Sequence, residues 1–266
     1  MKKMLISVIL ALALLLAACG GGTPATPTAP AGAERPVIVM GTNAAFPPFE
    51  FVADYGQGRH GQFSGIDVAI GLRIAEHVGA ELYIYDTEFA SLIMEVQTGR
   101  IDFIAAAMTI RPDRAEQVHF SVPYFTATQY IVVPIDNTAV NSVRDLDGLI
   151  IGVQLGTTGD LFVSDYVNYG EVARYNRIME AMMDLLGGSI DAVVVDSATA
   201  QLYVGRNADR VKIVRDPVNL AQEFYGIAVN LENTELLEQI NEVISEMVAN
   251  GEIEALFAYY SAYDFG

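Results

Sequence analysis

The sequence is poor in cysteine and lysine, and each shortage excludes a class of site. Cys19 is the only cysteine among 266 residues, so the chain has no internal disulfide and no cysteine-based metal cluster. Lysine occurs only at Lys2, Lys3 and Lys212, and none of them lies in the Gly-Lys-Ser/Thr sequence that a Walker-type phosphate loop requires. The 3 histidines are scattered without metal-ligand spacing, so we expect no metal and no other cofactor.

Basic charge is scarce as well, since 15 basic side chains stand against 33 acidic ones, for a formal net charge of -18. Proteins that bind nucleic acid need lysine and arginine at the surface to neutralise phosphates, so we expect no nucleic acid partner. Hydrophobic residues make up 52% of the chain, which is enough for a packed core and excludes wholesale disorder. The length allows one large domain or two of ordinary size.

The N-terminal segment has the pattern of an export signal. Lys2 and Lys3 precede an uncharged apolar run over residues 4–18, which is shorter than the roughly 20 residues of a membrane-spanning helix. The run ends in Leu-Ala-Ala-Cys19, which resembles the lipobox of bacterial lipoproteins. We therefore predict that residues 1–18 are a lipoprotein signal peptide and that Cys19 carries a lipid. An ordinary signal peptide with a chance cysteine is the alternative.

Residues 19–34 are rich in glycine, proline and threonine and hold no large apolar residue, which predicts a flexible tether. The rest of the chain would then be an extracytoplasmic body, lipid-anchored to the cell membrane, either at the cell surface or in a periplasm.

Beyond the tether, apolar periodicity alternates between strands and helices. Strands are predicted at 37–40, 82–85, 101–105, 149–153, 172–175, 190–195 and 226–230. Helices are predicted at 67–78, 89–98, 158–166, 177–186, from 197 onward, and twice within 236–258, with a break at Asn250-Gly251. Such repeated strand–helix units indicate an α/β protein with mostly parallel sheets.

Two segments of the chain are similar to each other. Residues 94–106 and 183–195 both contain a helix end, a glycine and then Ile-Asp at the start of an apolar strand. Any helix-to-strand turn has some of these features, but the match favours two lobes built alike. If the strand at 226–230 returns to the first sheet, the chain crosses between the lobes twice, near 126–133 and near 223–228.

Several motifs occur in a fixed order along the body. They are Gly-Thr-Asn-Ala-Ala-Phe-Pro-Pro-Phe-Glu-Phe (41–51), Gly-Ile-Asp-Val-Ala-Ile (65–70), Ala-Ala-Met-Thr-Ile-Arg-Pro-Asp-Arg (106–114), Phe-Ser-Val-Pro-Tyr-Phe (120–125), Asp-Leu-Asp-Gly (145–148), Ile-Gly-Val-Gln-Leu-Gly-Thr-Thr-Gly (151–159), Asp-Ala-Val-Val-Val-Asp (191–196) and Tyr-Gly-Ile-Ala (225–228). Together they make residues 37–260 resemble the polar amino acid-binding proteins of ABC importers, solute-binding protein family 3. Three positions depart from the family pattern: Ala69 and Asn43 stand where an acidic residue is common, and Val195 where some relatives have a polar one.

The resemblance implies a two-lobed, periplasmic-binding-protein-like fold with two mixed, mostly parallel sheets joined by a two-strand hinge. Lobe 1 would comprise residues 35–127 and 226–266, and lobe 2 residues 128–225. Tyr124 would belong to the hinge.

The resemblance also implies a site for a free amino acid. It assigns the ligand carboxylate to Arg114, Thr109, Thr157 and Thr158, the ammonium to Asp196 and Ala107, and the side chain to Phe46, Phe89, Asn43, Gln154 and Glu223. The chemistry is suitable, because a guanidinium binds a carboxylate through two parallel N–H bonds and a helix N-terminus attracts anions.

Structural roles are the alternative for each of these residues. Arg114 would pair with Asp113 or Glu116 at the surface, and Asp196 and the two threonines at 157 and 158 would cap helices. Phe46 and Phe89 would be core aromatics. Glu50, between two phenylalanines, is expected to face solvent or a structural partner.

The function predicted from the sequence is an extracytoplasmic receptor that binds a polar amino acid between two closing lobes and delivers it to ABC importer permease subunits. A basic amino acid is the first expectation, and a neutral, glutamine-type ligand is the alternative. A ligand-sensing module or a dehydratase-like enzyme on the same fold are further alternatives. No histidine lies within a motif, which argues against an enzyme. We expect a monomer that contacts the membrane only through its lipid.

Overall fold

The computed structural model describes residues 36–53, 62–168, 170–214 and 222–263. The predicted signal peptide, tether and lipidated Cys19 lie outside these residues. Arg35–Gly266 forms one compact unit, called the body below. Within the described part of the chain, every helix is too short or too polar to cross a bilayer.

Helices and strands alternate along the body. The helices are α1 (Ile66–His77), α2 (Leu92–Gln97), α3 (Pro112–Ala115), α4 (Thr158–Tyr166), α5 (Ile178–Gly187), α6 (Ser197–Arg206), α7 (Thr234–Ala249) and α8 (Glu252–Ala262). The strands are β1 (Val37–Thr42), β2 (Ala45–Phe46), β3 (Glu50–Val52), β4 (Phe63–Ser64), β5 (Glu81–Asp86), β6 (Phe103–Ile104), β7 (His119–Phe120), β8 (Phe125–Ala127), β9 (Gln129–Pro134), β10 (Ile150–Gln154), β11 (Glu171–Tyr175), β12 (Ala192–Asp196), β13 (Val211–Val214), β14 (Glu223–Tyr225) and β15 (Ala228–Val229). Most of the predicted elements are present, with bounds shifted by up to four residues.

Two five-stranded sheets form the centres of two lobes, with the orders β5-β1-β6-β15-β7 and β11-β10-β12-β9-β13. The predicted mixed sheets are confirmed, and each sheet has two parallel and two antiparallel pairings. The antiparallel pairings involve β15 and β9, the strands that enter each sheet directly after the chain has crossed from the other lobe. A strand that arrives by such a crossing runs antiparallel to its neighbours, which explains why half of the pairings in each sheet are antiparallel.

The predicted two-strand hinge consists of β8 and β14, which pair antiparallel between the two sheets. Tyr225 is fully buried there and stacks on Phe125, with ring centroids 5.7 Å apart. The strand predicted at 226–230 is present as β15, in the first sheet, and β14, in the hinge, precedes it. The chain leaves one sheet and joins another between them, so one continuous ladder is not formed.

The same kind of hydrogen bond, from a backbone N–H to an aspartate side chain, occurs in both lobes at the turns after α2 and α5. Asp102 accepts a hydrogen bond from the Val39 N–H at 2.7 Å, and Asp191 accepts one from the Ile150 N–H at 2.8 Å. Each aspartate thereby holds the start of the strand next to its own. The similarity between residues 94–106 and 183–195 thus reflects equivalent positions in two lobes built alike.

Amphipathic helices cover the first sheet. The buried residues of α7 recur along one face, and this helix packs against α1 and α8. They are Leu236, Ile240, Val243, Ile244 and Met247. The small β2-β3-β4 sheet was not predicted, because strands of two or three residues carry too little periodicity to be recognised.

Candidate functional site

A cleft lies between the two lobes, at the carboxyl ends of their strands, where open α/β sheets bind ligands. It is lined by Asn43, Phe46, Glu50, Phe89, Ala106, Ala107, Thr109, Arg114, Gln154, Thr157, Thr158 and Asp196. The structure therefore brings together all the residues predicted to contact a ligand except Glu223. The sequence had not assigned Glu50 and Ala106 to the cleft.

Arg114 is the one cation among the described residues that line the cleft, and its side chain is fixed by both lobes. It is 5% exposed and donates to the Thr109 carbonyl at 2.9 Å and to the Gly156 carbonyl at 3.0 Å. Its guanidinium carbon lies 5.3 Å from the centre of the Phe89 ring. Burial lowers the pKa of Arg114 to about 10, which leaves it charged at neutral pH. Asp113, the surface partner considered from the sequence, is bound by Arg111 at 3.0 Å instead.

Asp196 ends β12 and is buried on the side of the cleft opposite the first lobe. Helix α6 begins at the next residue, but the Asp196 carboxylate makes no capping hydrogen bond to it. The carboxylate instead accepts from the amide of Gln129. Burial raises the pKa of Asp196 well above its ordinary value, and the nearby charge of Glu223 raises it further.

Glu223 does not line the cleft, although the sequence assigned it to the ligand side chain. It lies in β14 of the hinge, and one carboxylate oxygen accepts three hydrogen bonds. The donors are the Thr109 hydroxyl at 3.1 Å, the Thr158 hydroxyl at 2.8 Å and the Gln129 amide at 3.2 Å. The hinge carboxylate thus joins a hydroxyl from each lobe.

Asp67 acts on the cleft through the backbone of Ala107. Ala107 has a φ of 46°, in the left-handed region that a residue with a Cβ rarely adopts. Its N–H donates to Asp67 at 2.7 Å, and the Tyr124 hydroxyl, at 2.8 Å, donates to the same carboxylate. Burial raises the pKa of Asp67 to about 7, while these two hydrogen bonds oppose the rise. The Ala107 N–H is therefore already used and is not available to a ligand in the cleft.

Glu50 is a buried carboxyl of the cleft that the sequence pattern had directed outward. It is 1% exposed, and its Oε2 atom has no hydrogen-bond partner among the described residues. Burial raises the pKa of Glu50 well above its ordinary value, and the charges of Asp67, Asp86 and Asp196 raise it further. The alternation failed because β3 is covered on both faces, so that Phe49, Glu50 and Phe51 are all buried. The inward or outward direction of a side chain cannot be predicted from apolar–polar alternation in a segment that is buried on both faces.

Asn43 and Gln154 bind each other across the cleft. The Gln154 amide donates to the Asn43 side-chain oxygen at 3.0 Å, and the Asn43 amide donates to the Thr87 carbonyl at 2.6 Å. An aspartate at position 43 would have no proton to donate to Thr87 when ionised. The asparagine at this departure from the family pattern therefore keeps a bond to Thr87 within its own lobe, while its side-chain oxygen accepts the bond from the second lobe.

Outside the cleft, side chains from the two lobes also bind each other. Arg177, after β11, donates to Asp86, at the end of β5, at 2.7 Å. Asn176 donates to Glu88 at 2.7 Å, and the Thr199 hydroxyl donates to the Pro47 carbonyl at 2.8 Å. These contacts hold the lobes in a closed arrangement.

We predict that Arg177→Ala opens the lobes. The Arg177–Asp86 pair is partly exposed, and such pairs contribute about 1 kcal/mol at most, so the closed-to-open ratio should fall up to about fivefold. Small-angle X-ray scattering of the body would report a larger radius of gyration for this variant. Arg144→Ala, which removes an exposed arginine of the same lobe, is the matched control. An unchanged radius in Arg177→Ala would contradict a role for this pair in closure.

Comparison with known proteins identifies the family. Residues 38–262 match the profile of the bacterial extracellular solute-binding proteins, family 3. The chain is 30% identical to the arginine-binding extracellular protein ArtP of Bacillus subtilis over 259 residues, which are 96% of each protein.

Solved structures agree with this assignment. A mutant of ArgBP from T. maritima has a TM-score of 0.77 and 40% identity, over 85% of this chain and 96% of that one. An ancestral arginine-binding protein, solved with arginine and with glutamine, has a TM-score of 0.76 and 37% identity, over 86% of this chain and 99% of that one. The family match covers both sheets, the hinge and the cleft between them, and the chain belongs to the bacterial extracellular solute-binding proteins, family 3.

Proposed function

We propose that this protein is the receptor of an ABC importer and that it binds a free amino acid with a cationic side chain between its lobes, without catalysing a reaction. The observation that carries the proposal is the Glu50 carboxyl, which is buried in the cleft with one oxygen unpaired. An unpaired buried carboxyl is costly, and a cation would stabilise it. The arginine-binding relatives described above support the same ligand class.

The ligand carboxylate would bind between Arg114 and the N-terminus of α4. Arg114 has N–H groups beyond the two that donate to carbonyls, since a guanidinium carries five. A helix leaves the N–H groups of its first turn without intrahelical acceptors. In α4, Thr157 caps the Asp160 N–H, which leaves those of Thr158 and Gly159 for an anion.

The ammonium would bind Asp196 and the carbonyl of Ala107. A carboxylate and a carbonyl are both acceptors, which an ammonium with three protons requires. Asp196 comes from the second lobe and Ala107 from the first, so full coordination needs both lobes. The ligand therefore stabilises the closed arrangement more than the open one, and this difference drives closure.

The side chain would pass between Phe46 and Phe89 towards Glu50. The two rings offer apolar surface to a methylene chain, and Glu50 offers a negative charge at its end. A neutral amide is the second candidate, because the raised pKa of Glu50 favours its protonated form, which can donate to an amide oxygen. The ancestral relative that binds either arginine or glutamine supports keeping both ligands under test.

A thermal-shift screen against the twenty amino acids, ornithine and cystine tests the function. The body is first unfolded and refolded, so that any copurified ligand is lost. A ligand at a thousandfold excess over its Kd stabilises by about 4 kcal/mol. We expect the largest shifts with arginine, lysine and ornithine. The absence of any shift would overturn the proposed receptor function, and a shift with glutamine alone would overturn the cationic ligand.

Glu50→Gln tests the ligand class within the same fold. We expect arginine affinity to fall about 30- to 100-fold, because a charge pair in a desolvated cleft is lost, while glutamine affinity changes less than about threefold. Isothermal titration in buffers of different ionisation enthalpy should also show more proton release on arginine binding for the wild type than for the variant, because the pKa of Glu50 is raised. Equal losses for arginine and glutamine would contradict contact between Glu50 and a cationic side chain.

We further propose the biological setting that the sequence predicts. The signal peptide is cleaved before Cys19, whose lipid anchors a monomer outside the cytoplasmic membrane, and the closed form delivers its amino acid to the permease subunits. The lobes are residues 35–127 with 226–266, and residues 128–225. Labelling with radioactive palmitate, compared between wild type and Cys19→Ala, tests the anchor.

A further inference from the structure

Glu223 gathers hydrogen bonds at a point where the two lobes and the hinge meet. Its Oε2 atom accepts from Thr109 of the first lobe and from Thr158 of the second, and Gln129 donates to the same atom. Gln129 also donates to Asp196. The hinge carboxylate is thus connected to both hydroxyls of the cleft and, through one amide, to the carboxylate assigned to the ligand ammonium.

The number of protons decides what the two hydroxyls offer to a ligand. A threonine hydroxyl has one proton and two lone pairs. Because the protons of Thr109 and Thr158 are donated to Glu223, both hydroxyls can only accept hydrogen bonds from the cleft. The Gln129 amide has two protons for three nearby acceptors, the Thr158 hydroxyl at 3.0 Å, Glu223 and Asp196, so Thr158 shares this donor, while Thr109 keeps its lone pairs. A ligand carboxylate gains nothing from such a hydroxyl, whereas an ammonium does.

We propose that Glu223 is a positioning residue for the ligand ammonium: by taking the proton of the Thr109 hydroxyl, it turns that hydroxyl into an acceptor beside Asp196. The inference rests on the proposed function, since it requires an α-amino acid in the cleft. It changes two roles expected from the sequence. Thr109 faces the ammonium through its side chain and not the carboxylate, and Glu223 acts from behind the cleft and does not contact the ligand side chain.

Two substitutions separate orientation from charge at this position. Glu223→Gln keeps a side-chain oxygen that accepts the hydroxyl protons, whereas Glu223→Leu has a similar volume and no acceptor. With L-arginine and L-glutamine as probes in isothermal titration, we expect Glu223→Leu to weaken the better-bound amino acid about tenfold. We expect Glu223→Gln to stay within about threefold of the wild type. A loss in Glu223→Gln as large as that in Glu223→Leu would overturn the orientation argument.

A second background tests whether Glu223 acts through the hydroxyls. In a Thr109→Val/Thr158→Val protein, which has no hydroxyl to orient, Glu223→Leu should cost less than about threefold. A loss as large as in the wild-type background would overturn the proposal. Thermal unfolding of each variant without ligand shows whether it folds. If Glu223→Leu does not fold, the affinity of Glu223→Gln decides, and a loss of about tenfold overturns the proposal. If the wild type binds neither amino acid, the proposed function is refuted. If the wild type binds and Glu223→Leu binds with the same affinity, this inference alone is refuted.

Discussion

Arg114→Ala abolishes amino acid binding, with an affinity loss of about 100- to 1000-fold or more, while the body still folds. Truncating one member of a buried charged pair costs about 2–5 kcal/mol, and here the ligand carboxylate would lose its guanidinium in a desolvated cleft. Asp196 and Glu223 would also lose the nearby positive charge of Arg114. Isothermal titration with arginine and glutamine measures the loss.

Arg111→Ala is the matched control for this variant. Arg111 lies three residues away, near the surface, and binds Asp113 rather than the cleft. Its removal should change affinity less than about twofold. Arg114→Lys should lie between the two, because lysine keeps the charge and loses the planar fork of donors. A loss of less than about tenfold in Arg114→Ala would exclude Arg114 as the carboxylate ligand.

Asp196→Asn should weaken binding about 100-fold or more and should leave the protein at least as stable as the wild type. The substitution keeps the shape and removes the charge that the ammonium requires. The pKa of Asp196 is raised in the folded protein, so its ionised form lowers stability at any pH above the unfolded pKa. Asparagine relieves this cost. Isothermal titration and thermal unfolding measure the two effects, with Asp165→Asn, an exposed acid of the same lobe, as the control.

The same raised pKa gives the wild type an acid limit. Binding needs ionised Asp196, so affinity should fall as the pH drops through its raised pKa, at a higher pH than an ordinary aspartate would show. Four described groups around Asp196 bear on this limit: the carboxyls of Glu50 and Glu223, the hydroxyl of Tyr225 and the guanidinium of Arg114. Glu50→Gln therefore serves as a reference, because it removes the other buried carboxyl of the cleft. A pH profile of Asp196→Asn with the same acid limb would assign the limb elsewhere.

The sequence predicts most of the fold because the periodic segments are long enough to show their buried faces. Helix α4 has the predicted bounds, and the similarity between residues 94–106 and 183–195 corresponds to two equivalent turns. Short elements could not be predicted, because they contain too few residues to show a buried face. The β2-β3-β4 sheet is built from strands of two or three residues, which no period can reveal.

The membership of the cleft could be predicted from motifs, whereas the tasks of its residues depend on contacts distant in sequence. Glu50, between two phenylalanines, was predicted to face outward. The prediction was wrong because its strand is covered on both faces. Glu223 was assigned to the ligand side chain, but its partners Thr109 and Thr158 lie 114 and 65 positions away. Donor counts at such junctions are set by tertiary packing, which no local pattern encodes.

The balance of charge in the cleft has a consequence for nutrient choice. Among the described residues that line it, Arg114 faces two carboxyls, Glu50 and Asp196, and Glu223 lies directly behind. Glutamate or aspartate would bring a second negative group beside these carboxyls, with Arg114 as the one cation among the described lining residues, so their affinity should be low. In a medium rich in acidic amino acids, these would thus compete poorly for the cleft, because of their negative side chains. The cleft would remain available to ligands present at lower concentration.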